Sequence, residues 1–256
     1  SRQDDPRTGG PDELTPSTAA DANRSTAPEH RPSSGRVRQG AMLRLRTQQP
    51  ARHLVLPILM YHRIDVPSDR LPEITRRLTV DPLDFERQMR WLARHGYRTV
   101  TQREVFAALI DGRSLGAKPV LITFDDGYRN VLGKAAPVLR HLGFHATAYV
   151  ITGRISRPDP SFLTWAQLRA LERLGIEIGS HTVSHVDLTA LSDDMLAREL
   201  RASRRVLERE LGHTVQWLAY PYGAHDQRVV RAARRAGYVL AVTTVRGVSQ
   251  QPSQTL

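Results

Sequence analysis

Two adjacent carboxylates, Asp125 and Asp126, close the apolar run from Val120 to Phe124 and are followed by Gly127. Acids at the mouth of a buried strand are costly unless a cation, a base role or a shared proton accounts for them. Further along, GSHTVSH places His181 and His185 four residues apart. Imidazoles at that spacing are good ligands for zinc and neighbouring transition metals, whether the segment is helical or turns back after a strand. His181 also ends a strand pattern, as Asp126 nearly does, and parallel strands bring such ends to one rim. Two imidazoles and one carboxylate leave positions open for water and substrate, which is a catalytic arrangement. Side chains of neighbours on an extended backbone point oppositely. One of the two Asp is therefore expected to ligate while the other stays free as a base. Each feature has a plainer reading alone: paired acids cap helices and turns, and spaced histidines sit on surfaces.

His62 ends a third apolar run, beside Tyr61. At the same rim it would be the natural proton donor to a leaving group. Alone it reads as a structural histidine. The segment AYPYG, residues 219–223, sets a rigid, an aromatic and a flexible residue after a strand. A backbone N–H in such a turn suits an oxyanion. Tyr128, Tyr220 and Tyr222 offer rings for sugar faces, whereas Trp165 and Trp217 read as core aromatics. Ser180 and Ser184 flank the histidines, but no G-x-S-x-G elbow accompanies them.

The elements that must position these residues alternate. Strand patterns cover 53–64, 97–100, 120–124, 145–152, 176–181, 214–221 and 238–244. Helical patterns lie between them: Asp81-Pro82 opens one, a Thr101/Glu104 capping box another, and Thr164 caps a third. Pro137 should bend or divide the helix that follows Asn130. The stretch 69–80 reads as loop. Strand–helix alternation points to an α/β fold with a mainly parallel sheet, and about seven evenly spaced strands favour a closed or nearly closed barrel over a doubly wound sheet. Neither glycine-rich nucleotide fingerprint occurs.

Residues 1–52, rich in Pro, Ser, Thr and charge, are expected to be disordered or a linker, with the catalytic domain over 53–256. The chain carries a net charge of +11, and nine Arg against six acids in residues 1–53 leave +8 to the remainder. That suits a solvated basic surface or an acidic envelope polymer as partner, and no basic–aromatic module supports nucleic acid. With no Cys, disulfides, thiolate nucleophiles and Cys-ligated metals are excluded. No apolar run reaches the length of a membrane span.

The motifs TFDDG (123–127), SHTVSH (180–185) and AYPYG (219–223), in that order, resemble those of the polysaccharide deacetylases with a NodB-type domain, carbohydrate esterase family 4. The likeness covers about residues 54–248. It implies a single distorted (β/α) TIM-like barrel and a metal-dependent hydrolase that removes N-acetyl groups from N-acetylglucosamine units of a polysaccharide. In that resemblance Asp125 is the general base, Asp126, His181 and His185 hold the divalent metal, and the Tyr222 amide is the oxyanion donor. Zinc comes first for the ion, with nickel, cobalt and iron as alternatives. Two departures stand out. Most members have an Arg, orienting the base, where this chain has Ala219, and their late Leu-x-x-His is missing here. LPILMYHRI and AYPYG look instead like the branch acting on poly-β-1,6-N-acetylglucosamine, where the motif order is circularly permuted and the acid histidine lies near the N-terminus. On that likeness His62 is the general acid. An extracellular or cell-envelope enzyme, tethered through its N-terminal segment, is the expectation. Peptidoglycan, chitin oligomers or acetylxylan are the alternative substrates, and a non-catalytic carbohydrate-binding domain is the alternative class.

Overall fold

The structure is a computed structural model that describes residues 54–250, so the segment expected to be a linker lies outside the described residues. Seven strands build one parallel sheet: β1 (Ile58–Tyr61), β2 (Arg98–Thr99), β3 (Pro119–Phe124), β4 (Ala146–Val150), β5 (Ile176–Ser180), β6 (Trp217–Ala219) and β7 (Leu240–Val242). They are ordered β1-β3-β4-β5-β6-β7, with β2 paired to the start of β3. The sheet curls into a half-barrel with helices around it: a distorted (β/α) barrel, as the alternating patterns imply. Six of its seven strands fall inside the expected runs, and β3 begins one residue ahead of its run, at Pro119.

The two-residue period of the strands sorts their side chains. Val120, Ile122 and Phe124 face outward with Ala146, Ala148, Val150, Ile176 and Ile178, forming one core under the helices. Leu121, Tyr149, Trp217 and Leu240 face inward and fill a second core. Burial on both faces is why these strands read as nearly continuous apolar runs. Trp165 packs at the edge of the outer core and Trp217 is buried in the inner one, so both are core aromatics.

The outer layer comprises α1 (Pro82–Arg94), α2 (Gln102–Asp111), α3 (Ala136–His141), α4 (Trp165–Arg173), α5 (Asp193–Leu211) and α6 (Gln227–Ala236). Asp81 caps α1 by accepting from the Leu83 N–H, and full capping boxes start α2 at Thr101 and α4 at Thr164. Ahead of α3 the chain makes a wide π-type turn, Val131–Ala135. Pro137 has no N–H to offer the preceding turn, which is the division expected of it. The stretch read as loop, 69–80, contains a single helical turn, Glu73–Arg77, and a short strand, Thr79–Val80, parallel to Arg63–Ile64. That turn buries nothing and is held by a Glu73–Arg77 ion pair at 2.7 Å, so no apolar period announced it.

β1 and β7 do not pair. At this seam a two-residue antiparallel ribbon joins Leu54–Val55 to Ser249–Gln250, and the Leu56 N–H donates to the Val248 carbonyl at 2.7 Å. No described helix is long and apolar enough to cross a membrane.

Candidate active site and metal centre

The inward register of the strands runs past their C-terminal ends. Tyr61 is the partner of Phe124, and the Asp125 N–H donates to the Tyr61 carbonyl at 2.9 Å. One residue further, His62 therefore stands beside Asp125 on the neighbouring strand, both on inward positions. Asp126 leaves the extended conformation at once, with φ 72°, and Gly127 follows at φ 85°. This double left-handed step turns Asp126 away from Asp125. A side chain at Gly127 would also press on Val150 and Ile155, at 3.1 Å. The expected division between the two acids is thus produced by the turn rather than by alternation along an extended strand.

Asp126, His181 and His185 offer ligand atoms that all lie within 4.8 Å of one another, a candidate divalent-metal site. Both His Nε2 atoms are 3.7 Å from Asp126 Oδ1, too far for hydrogen bonds. Two ligands about 2.1 Å from a tetrahedral ion stand roughly 3.4 Å apart, so the spacing fits a shared ion. The His181 Nδ1 lies 2.9 Å from the Ala219 carbonyl, which fixes the proton on that nitrogen and leaves Nε2 as a lone pair facing Asp126. Burial, then His185, push the His181 imidazole down to about 3, so it is neutral and ready to ligate. Asp126 Oδ1 is buried without a hydrogen-bond partner, an orphan acceptor that a cation would satisfy. The donor set and the orphaned oxygen fit a divalent ion.

Asp125 is 6% exposed, and its Oδ1 has no hydrogen-bond partner. Burial, then the neighbouring Asp126, push its carboxyl up to about 8. It lines a cavity of about 560 Å³ inside the half-barrel, together with Ile58, Met60, Ala219 and Tyr220. Among the described residues no ion pair reaches it, so Ala219 leaves the orienting role of the family's Arg unfilled by any cation. Burial lowers the His62 imidazolium, opposed by the charge of Asp126 and reinforced by that of His185. Those neighbours put His62 at the metal cluster as well as beside Asp125.

The two histidines converge through a strained turn, not a helix. Thr182 has φ 65° and His185 φ 58°. For a β-branched Thr that is a genuine outlier. Together with Asp126 and Tyr222, they account for four of the five non-glycine residues with positive φ, and such strain persists only where surroundings over-determine it. Here the determinant is Glu199, a buried carboxylate of α5. It accepts from the Val183 and Ser184 N–H groups, both at 2.9 Å, and from the Ser184 hydroxyl. Ser203, one turn on, bonds the Ser180 hydroxyl at 2.9 Å and Tyr238 at 3.0 Å. Neither residue was singled out from sequence. The available signal was their place on α5, in the buried stripe with Leu196, Leu200 and Leu207.

Tyr222 has φ 58° and 66% exposure, and its ring lies 4.6 Å from that of His185 at 71°. Its turn is closed by the Gly223 N–H donating to the Tyr220 carbonyl at 2.8 Å. Tyr220, expected to face sugar, is 4% exposed and stacks on His225 at 5.0 Å. Tyr128 is half-buried against Phe162. Asp126, His181 and His185 thus converge at the C-terminal rim of the sheet, where βα folds keep their chemistry, with the Tyr222 ring against His185 and His62 within reach of the charges of Asp126 and His185, while Asp125 lines the adjoining cavity of the half-barrel.

The family model described as "Polysaccharide deacetylase" matches residues 112–241. The Bacillus subtilis (strain 168) protein YxkH, named for the polysaccharide deacetylases, is 33% identical over 207 residues, 81% of this chain and 70% of that one. The poly-β-1,6-N-acetyl-D-glucosamine N-deacetylase of Staphylococcus aureus (strain MSSA476) is 22% identical over 63% of this chain and 60% of its own length. Among solved structures, the Streptococcus pyogenes deacetylase PplD in complex with acetate superposes with a TM-score of 0.71 at 33% identity, covering 77% of this chain and 86% of that one.

Proposed function

The chain belongs to the polysaccharide deacetylase family, and from that premise we propose that it is a metal-dependent hydrolase removing N-acetyl groups from N-acetylglucosamine units of an envelope polysaccharide. The observation that carries this reading is the Asp126–His181–His185 cluster on the rim that also bears Asp125 and His62. The acetate-bound relative supports release of acetate, and the staphylococcal N-deacetylase supports the amide as substrate.

A divalent ion held by Asp126, His181 and His185, with zinc preferred for this donor set, would act as a Lewis acid on the acetyl carbonyl and on water. Asp125, as a carboxylate, takes a proton from the attacking water. The Tyr222 N–H donates to the oxygen that gains charge in the tetrahedral intermediate. His62, protonated, gives its proton to the departing glucosamine nitrogen, and acetate leaves.

The test combines acetate release from acetylated glucosamine oligomers with metal content of the purified proteins. D126A and H181A should lose metal and activity together. D125N and H62A should keep the metal while turnover falls by roughly 10²–10⁴. Undiminished turnover in D125N would remove Asp125 as base, and full metal occupancy in H181A would remove the proposed ligand set.

A further inference from the structure

Beside the metal centre lies a groove of about 800 Å³ that the deacetylation steps do not use. It meets the rim at Tyr128, a lining residue close enough to feel the charges of both Asp126 and Arg63. One wall is aromatic: Tyr128 and Phe162 stack with centroids 5.1 Å apart at 19°, and the Arg154 guanidinium lies 5.4 Å from the Phe162 ring. The other side is basic. Arg63 and Lys134 both pair with a single carboxylate, Asp65. Arg129 adds a third cation to the lining. Three cations therefore line the groove against the one carboxylate of its lining, and two of them, Arg63 and Lys134, are held in place by it. Asn130 donates to Asp65 at 3.2 Å and helps to hold that carboxylate in place. An aromatic wall and surplus positive charge together describe a subsite for a charged sugar rather than for a neutral one.

Resting on the deacetylase reading, we propose that this groove binds an anionic substituent, carboxylate or phosphate, on a sugar next to the one being deacetylated, so that the preferred substrate is an acidic glycan. The carboxylate at Asp65 fixes the floor, and the net charge left over faces the bound chain. Attraction between partly exposed charges is screened by salt, so the preference belongs to low ionic strength.

The metal-loaded full chain would be assayed on three oligomers of equal length: neutral N-acetylglucosamine, alternating N-acetylglucosamine and N-acetylmuramic acid, and N-acetylglucosamine phosphorylated on O6. The expected result at about 50 mM salt is a kcat/KM about tenfold higher for at least one anionic oligomer, collapsing towards parity near 0.5 M salt. The carboxylate and phosphate arms separate the two sources of charge. R129Q and K134Q should each lower kcat/KM severalfold on the anionic oligomer, through KM, and leave the neutral one unchanged. Titration calorimetry of the metal-free protein with the same oligomers should show the same ranking. Equal rates on all three, or a charge preference intact in the R129Q/K134Q double variant, would overturn the anionic subsite while leaving the deacetylase reading standing. No acetate from any oligomer would overturn both.

Discussion

Asp125 and Asp126 differ by one position and by nearly everything else. The left-handed step at Asp126 turns it to two imidazoles, while Asp125 stays buried with an unpartnered oxygen. That burial has a thermodynamic consequence for the metal-free chain. The Asp125 carboxyl is raised from 3.8 to about 8 by burial and by Asp126. Between those values the folded chain holds a proton that the unfolded chain has released. Stability fully present below 3.8 is therefore lost as pH rises towards 8. D125N removes this cost. In chelator-treated protein it should raise the melting temperature near pH 7.5, by a stabilisation on the order of a few kcal/mol, and change little near pH 4. An equal shift at both pH values would mean that Asp125 reaches water. With a divalent ion bound, opposite charge favours the carboxylate, and the gain from D125N should shrink. That one acid should ligate while the other stays free was readable from TFDDG, but which is which came only through the resemblance. The different surroundings of the two were not readable, because they depend on a backbone reversal that the residue types do not reveal.

At the scale of elements, the loop from Thr182 to His185 shows a metal-ligand pair held by something other than its own helix. Strain of about 1–3 kcal/mol per left-handed non-glycine residue has to be offset by outside contacts. Glu199 supplies three of them from α5. E199A leaves two buried N–H groups unpaired and should weaken metal binding about 10–100-fold, measured by competition with a chromophoric chelator. E199Q retains an acceptor for the same N–H groups and should stay near the parent protein. If both variants bind metal equally well, the loop is held by its own sequence. A related constraint lies on β5, where a Cβ at Gly179 would fall 2.5 Å from Tyr149 Cδ1. G179A should cost roughly 1–3 kcal/mol through overpacking of the inner core, read from denaturant melts. The strands and capped helices were legible because apolar period, N-caps and glycine stops agreed with one another. The helical turn at Glu73–Arg77 was not, since it buries no side chain. The same limit applied to Glu199, whose partners are backbone groups of a distant loop.

Across the whole molecule, the proposed catalytic groups come from strands far apart in the chain: β1, β3, β5 and β6 each deliver one at the C-terminal rim. Parallel pairing makes this possible, and the sheet is left unpaired at the seam between β1 and β7. The seam is held by the ribbon of Leu54–Val55 with Ser249–Gln250, formed by the two ends of the described region. The strand that carries His62 is accordingly fixed sideways: by β3 along Ile58–Tyr61, by Val248 at Leu56, and by Thr79–Val80 at Arg63–Ile64. Its forward covalent link runs through the exposed residues Val66, Pro67, Asp69 and Arg70. Fragment complementation follows from that arrangement. A chain cleaved between Val66 and Arg70 should remain one particle in size-exclusion chromatography and still release acetate, because every contact that places His62 crosses the cut without using it. The segment that carries His62, the proposed proton donor, is in effect a docked peptide that happens to share a backbone with its receptor.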